Sequence, residues 1–199
     1  MLFRSAPAAP FSPTSLSGLV GWYDVTSVSG STWTDMSGNS NHATISGATV
    51  QSTSANGSSK IVSALTGTSS NSVLWPTAIL PATFTLFHVA RYSGFKNRIF
   101  AGRSINWLSG FWQGNVGVAF HNNWITNSSS AAGLTVTNWL ITTDRNSSYR
   151  ANGVDVTTGS PGSPSYDQLT INAANNSSEP GDFSDRKSTR LNSSHIPLS

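Results

Sequence analysis

The stretch Asn106 to Trp124, NWLSGFWQGNVGVAFHNNW, concentrates the groups with the most binding chemistry in this chain. It carries Trp107, Phe111, Trp112 and Trp124 beside Gln113, His121, Asn122 and Asn123. A sugar ring is held by an aromatic face against its C–H side and by amide or imidazole hydrogen bonds to its hydroxyls, and this segment supplies both kinds of group. Trp107, Trp112, His121, Asn122, Asn123 and Trp124 are therefore the candidate ligand-binding residues. The competing use of the tryptophans is core packing, since a domain with seven Trp must bury several of them.

A second cluster is Asp35-Met36-Ser37-Gly38-Asn39-Ser40-Asn41. Its side-chain oxygens recur at alternate positions, as at the opening of a calcium loop, which makes Asp35, Asn39 and Asn41 candidate calcium ligands. The distal bidentate Glu of such a loop is missing and the cluster holds one charge. The alternative is a tight turn in which Asp35 and Asn39 accept local backbone N–H bonds. Calcium at this place is the one cofactor the sequence suggests.

Bond-breaking chemistry has few carriers. Glycoside hydrolysis takes two carboxyl groups flanking one bond, yet Glu occurs only at position 179 and no E-x-D-x-E strand exists. Asp24 with Asp35, or Asp144 with Asp155, are the remaining pairs, and each Asp also suits a turn or strand end. The motifs G-x-S-x-G, H-E-x-x-H, G-x-x-x-x-G-K-[ST] and G-x-G-x-x-G are absent. His42, His88, His121 and His195 are scattered without metal-ligand spacing; His42 after the turn and His88 within a core-like run read as structural. The expectation is a protein that is not an enzyme.

The elements that must position these residues are strands. Ser, Thr, Val, Asn and Gly dominate while Lys, Leu and Glu are sparse, which favours an all-β chain. Strand-like runs cover Leu19 to Asp24, His42 to Val50, Lys60 to Leu65, Ser72 to Trp75, Thr83 to Tyr92 and Arg98 to Gly102. Others cover Val116 to His121, Trp139 to Thr143, Ser147 to Ala151, Val154 to Thr157 and Gln168 to Ala173. Many short strands separated by turns, with Asn152-Gly153 as the sharpest hairpin signal, predict a sandwich or barrel. In Thr83 to Tyr92 both alternating faces carry apolar bulk, so this run should be a central strand. In Asn115 to His121, Val116, Val118 and Phe120 should face inward, and Gly117, Ala119 and His121 outward.

Charge and length bound the rest. The formal net charge is +3, but residues 1–185 hold eight basic and eight acidic side chains, so the excess sits on Arg186, Lys187 and Arg190. That gives no electrostatic footprint for nucleic acid. Cysteine is absent, which excludes disulfides and thiolate chemistry. No run is long and apolar enough for membrane insertion or a signal-peptide core. The Asn-x-Ser/Thr sequons at Asn56, Asn127, Asn146, Asn175 and Asn176 permit glycosylation without showing it.

LVGWYD followed by WTDMSGNSNHAT, then ATFTLFHVARY, then SSYRANGVDV, resembles the laminin-G-like, concanavalin-A-like jelly-roll family of lectin and glucanase domains. An opening Trp strand, a W-x-D-x-S-G-N-x-N-H hairpin and a late Y-x-x-N-G hairpin recur there in that order. The likeness spans about residues 18–183. It implies two antiparallel sheets packed face to face, one of them concave, serving carbohydrate or protein recognition and adhesion. Some relatives of this fold are glycoside hydrolases.

The tail departs from that pattern. Members usually close with an apolar strand such as VAEVIVYNR soon after the position of Asp182 to Asp185, whereas this chain runs SDRKSTRLNSSHIPLS. RKSTRLNSSH also resembles a recurrent foreign tail read through from adapter or vector bases. The expected organisation is a flexible leader at 1–16, a sandwich at 17–185 that lacks its terminal strand, and a non-native or disordered tail at 186–199. The expected role is a non-catalytic recognition or adhesion module for a glycan or glycoprotein at an extracellular surface. A structural or protein–protein module without a small-ligand site is the alternative, and a glycosidase or lyase ranks third.

Overall fold

The computed structural model describes residues 11–77, 79–175 and 179–191, the last five by their backbone alone. The described chain forms β1 (Leu19–Asp24), β2 (Val28–Ser29), β3 (Thr32–Trp33), β4 (Ala43–Ser46), β5 (Thr49–Thr53), β6 (Val62–Gly67), β7 (Ser72–Leu74) and β8 (Thr85–Tyr92). It continues through β9 (Phe100–Gly102), β10 (Trp107–Trp112), β11 (Asn115–His121), β12 (Leu140–Arg145), β13 (Ser148–Ala151), β14 (Val154–Asp155), β15 (Leu169–Ile171) and β16 (Phe183–Leu191). These make two eight-stranded antiparallel sheets that form a sandwich. The first runs β14-β13-β12-β8-β16-β6-β5, with β1 also on β16; the second runs β11-β10-β9-β15-β7-β4-β3-β2. No helix among the described residues is long and apolar enough to cross a membrane.

Alternation builds the core between the sheets. On β8, Leu86, His88, Ala90 and Tyr92 are buried while Phe87, Val89 and Arg91 are half-buried on the outer face, as a central strand requires. An aromatic chain crosses the interior. Tyr23 meets Trp33 and Trp75 edge-on at 6.0 and 5.9 Å, and Trp75 meets Phe100 at 6.5 Å. Edge and tilted contacts at this spacing add to what burial of each ring contributes.

The terminal strand expected to be missing is present. β16 lies along β8 on one side, and on the other its first three residues pair with β6 and its last five with β1. A one-residue bulge between Asp185 and Lys187 passes the strand from one partner to the other. The gap in the sheet is filled by backbone N–H and C=O groups, which every non-Pro residue carries, so a charged sequence without Pro fills it as an apolar one would. Phe183, Ser184 and Asp185 are buried at its start. Of the tail expected to be non-native or disordered from residue 186, the stretch through Leu191 is the end of β16, and residues 192–199 lie outside the described residues. Of the expected leader, residues 1–10 also lie outside them, and Pro13–Ser15 forms a 3-10 turn with Pro13 buried.

Candidate functional site

An open groove of about 530 Å³ lies on the outer face of the second sheet, over β10 and β11. β10 turns Trp107, Ser109 and Phe111 into the sandwich and leaves Leu108 and Trp112 on the groove side. Gln113 and Gly114, at φ 46° and 81°, then make a two-residue hairpin turn into β11. β11 does not keep its phase. Phe111 pairs with Val116 and Gly110 with Val118, so Gly117, at φ +74°, is an extra residue in the ladder. A Cβ at Gly117 would stand 2.6 Å from Leu134.

That bulge corrects the expected facing of β11. Val116 and Ala119 join the core and His121 is fully buried, while Phe120 is half-exposed in the groove wall. The chain then turns at Asn122, φ 56°, and bridges back so that Trp124 pairs with Phe120. The Trp124 ring lies 5.2 Å from Trp112 at 62° and 5.1 Å from Phe120 at 79°.

The opposite wall is polar. Arg98 donates from Nη2 to Oε2 of Glu179 at 2.8 Å and from Nη1 to Oδ1 of Asn106 at 2.9 Å. Gln113 Nε2 donates to the other Glu179 oxygen at 3.3 Å. Burial lowers the Arg98 pKa from its ordinary value, against the charge and hydrogen bond of Glu179, which raise it. Three half-exposed rings therefore face a network in which Asn106 and Gln113 stay exposed and keep donors and acceptors free for a ligand. Arg98 and Glu179 were not among the candidates. They lie 81 residues apart, with no local spacing to join them, and only the solitary Glu hinted at a special position.

The six sequence candidates divide. Trp112 and Trp124 meet in the groove. Trp107 and His121 also meet, stacked at 5.2 Å and 10°, but both are fully excluded from solvent and belong to the interior. Their burial removes them from any ligand platform. Asn122 and Asn123 are exposed, and their amides donate to the carbonyls of Ser163 and Ser160, at 3.0 Å each, which ties the following loop to the sheet.

Asp35, Asn39 and Asn41 do come together, as a turn. Asp35 Oδ1 accepts from the backbone N–H groups of Trp22 and Ser37, each at 2.9 Å; Oδ2 accepts from Ser37 Oγ at 2.8 Å and Asn41 N at 3.0 Å. The amides of Asn39 and Asn41 donate to the carbonyls of Leu19 and Val20. Asp35 N–H in turn donates to His42 Nδ1 at 3.1 Å. The carboxylate oxygens are thus engaged by four donors, and the cluster fastens the hairpin to β1.

The carboxylate pairs weighed for catalysis do not face one another across a cleft. Asp24 caps the turn Val25–Ser27 through Thr26 N, Asp155 accepts from Thr157 N at 3.0 Å, and Asp144 is buried against His121.

No family model matches the sequence, nor does any curated protein. Solved structures do match it in fold. The chain is similar to the sialidase of Trypanosoma rangeli, solved in complex with sialic acid, at 14% identity and a TM-score of 0.61, over 95% of this chain and 33% of the sialidase. It is similar to domain 4 of AbnA, an extracellular GH43 arabinanase of Geobacillus stearothermophilus in complex with arabinotriose, at 14% identity and 0.59, over 88% of this chain and 92% of that domain. It is also similar to the binding domain of Paraclostridial Mosquitocidal Protein 1, at 13% identity and 0.57, over 91% and 50%. These likenesses establish a β-sandwich of the jelly-roll kind. The chain spans a third of the sialidase it matches.

Proposed function

We propose that this chain is a non-catalytic, laminin-G-like recognition module that binds carbohydrate, or a glycosylated partner, in the Trp112–Phe120–Trp124 groove at an external surface. The observation that carries this reading is the pairing of a three-ring wall with an Arg98–Glu179–Asn106 wall in one open hollow, with Gln113 bonded to Glu179 beside it. The C–H faces of a sugar stack on the rings while its hydroxyls bond to the amides. Similarity to a domain solved with arabinotriose supports the same direction. One carboxylate, Glu179, faces the groove among the described residues, and it is paired with Arg98; glycoside hydrolysis ordinarily takes two.

The test is isothermal titration of neutral oligosaccharides, found first on a glycan array, against wild type, Trp112→Ala and Trp124→Ala. Each variant should weaken binding at least about tenfold, near 1.4 kcal/mol. Full affinity in both would refute the site, and turnover of an oligosaccharide would refute the non-catalytic reading. Ile141 and Val154, 57% and 64% exposed on the other sheet, favour the second reading, a protein-contact face. Absence of any glycan signal together with capture of a protein ligand through that face would establish it.

A further inference from the structure

We propose a second ligand site, on the outer face of the first sheet, that takes an acidic sugar through its sulfate ester or carboxylate. The register assembles it. Thr143 on β12 stands opposite Phe87 on β8 and Arg150 on β13, and one pleat along, Arg145 stands opposite Thr85 and Ser148. Directly opposed side chains in an antiparallel pair are neighbours, and the diagonal pair Arg145 and Arg150 lies within reach of a common ligand. These six residues, with Gly153 and Asp155, line a hollow of about 370 Å³, the volume of a small-molecule site.

Each group has a use there. Arg145 makes no ion pair or side-chain hydrogen bond among the described residues, so its planar fork is open to an oxyanion. Arg150 stands opposite Asp155 on β14 and its charge acts on that carboxylate, which is bonded to Thr157; no ion pair joins Arg150 to Asp155, so the guanidinium keeps its donors for an oxyanion. The second, independent observation is Thr85. It is 1% exposed, lines the hollow, and its hydroxyl has no hydrogen-bond partner. A buried hydroxyl without a partner is costly, and an oxyanion oxygen is the acceptor that would satisfy it. Phe87 provides an apolar face for the ring of the sugar, and Thr143 and Ser148 provide hydroxyls for its rim.

This site and the aromatic groove occupy opposite outer faces of the sandwich, so the two can fail separately. N-acetylglucosamine 6-sulfate, glucuronic acid, uncharged N-acetylglucosamine and inorganic sulfate would each be titrated and followed by amide chemical shifts. The expected result is binding of one or both acidic sugars, weakened by salt, with shifts at β12 and β13, and weaker binding of N-acetylglucosamine and of sulfate alone. Which acidic sugar binds tells sulfate ester from carboxylate. Arg145→Gln with Arg150→Gln should raise the dissociation constant at least tenfold, and Thr85→Val, which keeps the shape, severalfold. Trp112→Ala should leave it unchanged. Unaltered affinity in the arginine pair, equal binding of the uncharged sugar, or sulfate binding as tightly as the sugars would overturn the proposal. Should the arginine pair fail to fold, Thr85→Val decides it, unaltered affinity overturning the site.

Discussion

His121 Nε2 lies 3.2 Å from Oδ2 of Asp144, and both side chains are wholly excluded from solvent between the two sheets. His121 Nδ1 faces the carbonyl of Asn146 at 2.9 Å. A carbonyl only accepts, so Nδ1 carries a proton, and Nε2 donates to the carboxylate: the ring is held as an imidazolium. Removing one partner leaves an uncompensated buried charge. Asp144→Ala should therefore lose about 3–5 kcal/mol in urea unfolding at pH 6, whereas His121→Leu with Asp144→Leu should recover much of that loss.

The two interior histidines give opposite pH dependences. Burial depresses the His88 pKa from 6.5 to about 3. Its neutral ring, bonded to Ser109 Oγ at 3.1 Å, contributes stability that is present above about pH 6.5 and lost as pH falls toward 3. The loss from this group should reach roughly 3 kcal/mol by pH 4, and His88→Gln should flatten that limb. For His121 burial also lowers the pKa, but the charge and hydrogen bond of Asp144, with Asn146, raise it further, and the net shift is upward. Its contribution is full below about 6.5 and is lost as pH rises through the raised value, so His121→Gln should remove a decline on the alkaline side. Urea midpoints measured across pH 4–9 test both.

Trp107 and Trp112 stand on the same strand and should behave as different kinds of residue. Trp107→Ala empties a fully buried site against Phe84 and His121 and should cost about 3–5 kcal/mol. Trp112→Ala removes a half-exposed ring and should cost no more than about 2 kcal/mol. Thermal unfolding of the two variants separates scaffold from contact surface.

Asp35→Ala would orphan the N–H groups of Trp22, Ser37 and Asn41 at once, and should cost about 2–4 kcal/mol. Millimolar calcium should leave the Tm of wild type unchanged within about 1 °C, because an ion that bound the native state would raise it. A rise of several degrees would restore the ion-binding reading of the turn.

Most of the fold is readable from alternation and turn residues. Thr83 to Tyr92 announces a central strand by its two apolar faces, and Asn152-Gly153 announces its hairpin. β10 is harder to see, because Trp107 to Trp112 reads as an aromatic cluster around Gly110 and its turn is Gln-Gly, where Asn-Gly would have signalled a hairpin. The bulge at Gly117 is one residue that exchanges the faces of Phe120 and His121, and it takes Phe120 into the groove. Simple alternation carries no mark of it beyond the glycine itself. β16 was hidden by its charged composition, since backbone pairing leaves little trace in side-chain type. The Arg98–Glu179 wall depends on a long-range approach that no local pattern encodes.

The position of β16 also sets an order of events during synthesis. β8 is made about a hundred residues before the strand that covers one of its edges, and β1 earlier still. At about 5–20 residues per second the ribosome leaves those edges open for several seconds. The first sheet closes only after Leu191 has left the exit tunnel, so the nascent chain passes through a stage in which a half-built sheet must be shielded from its neighbours.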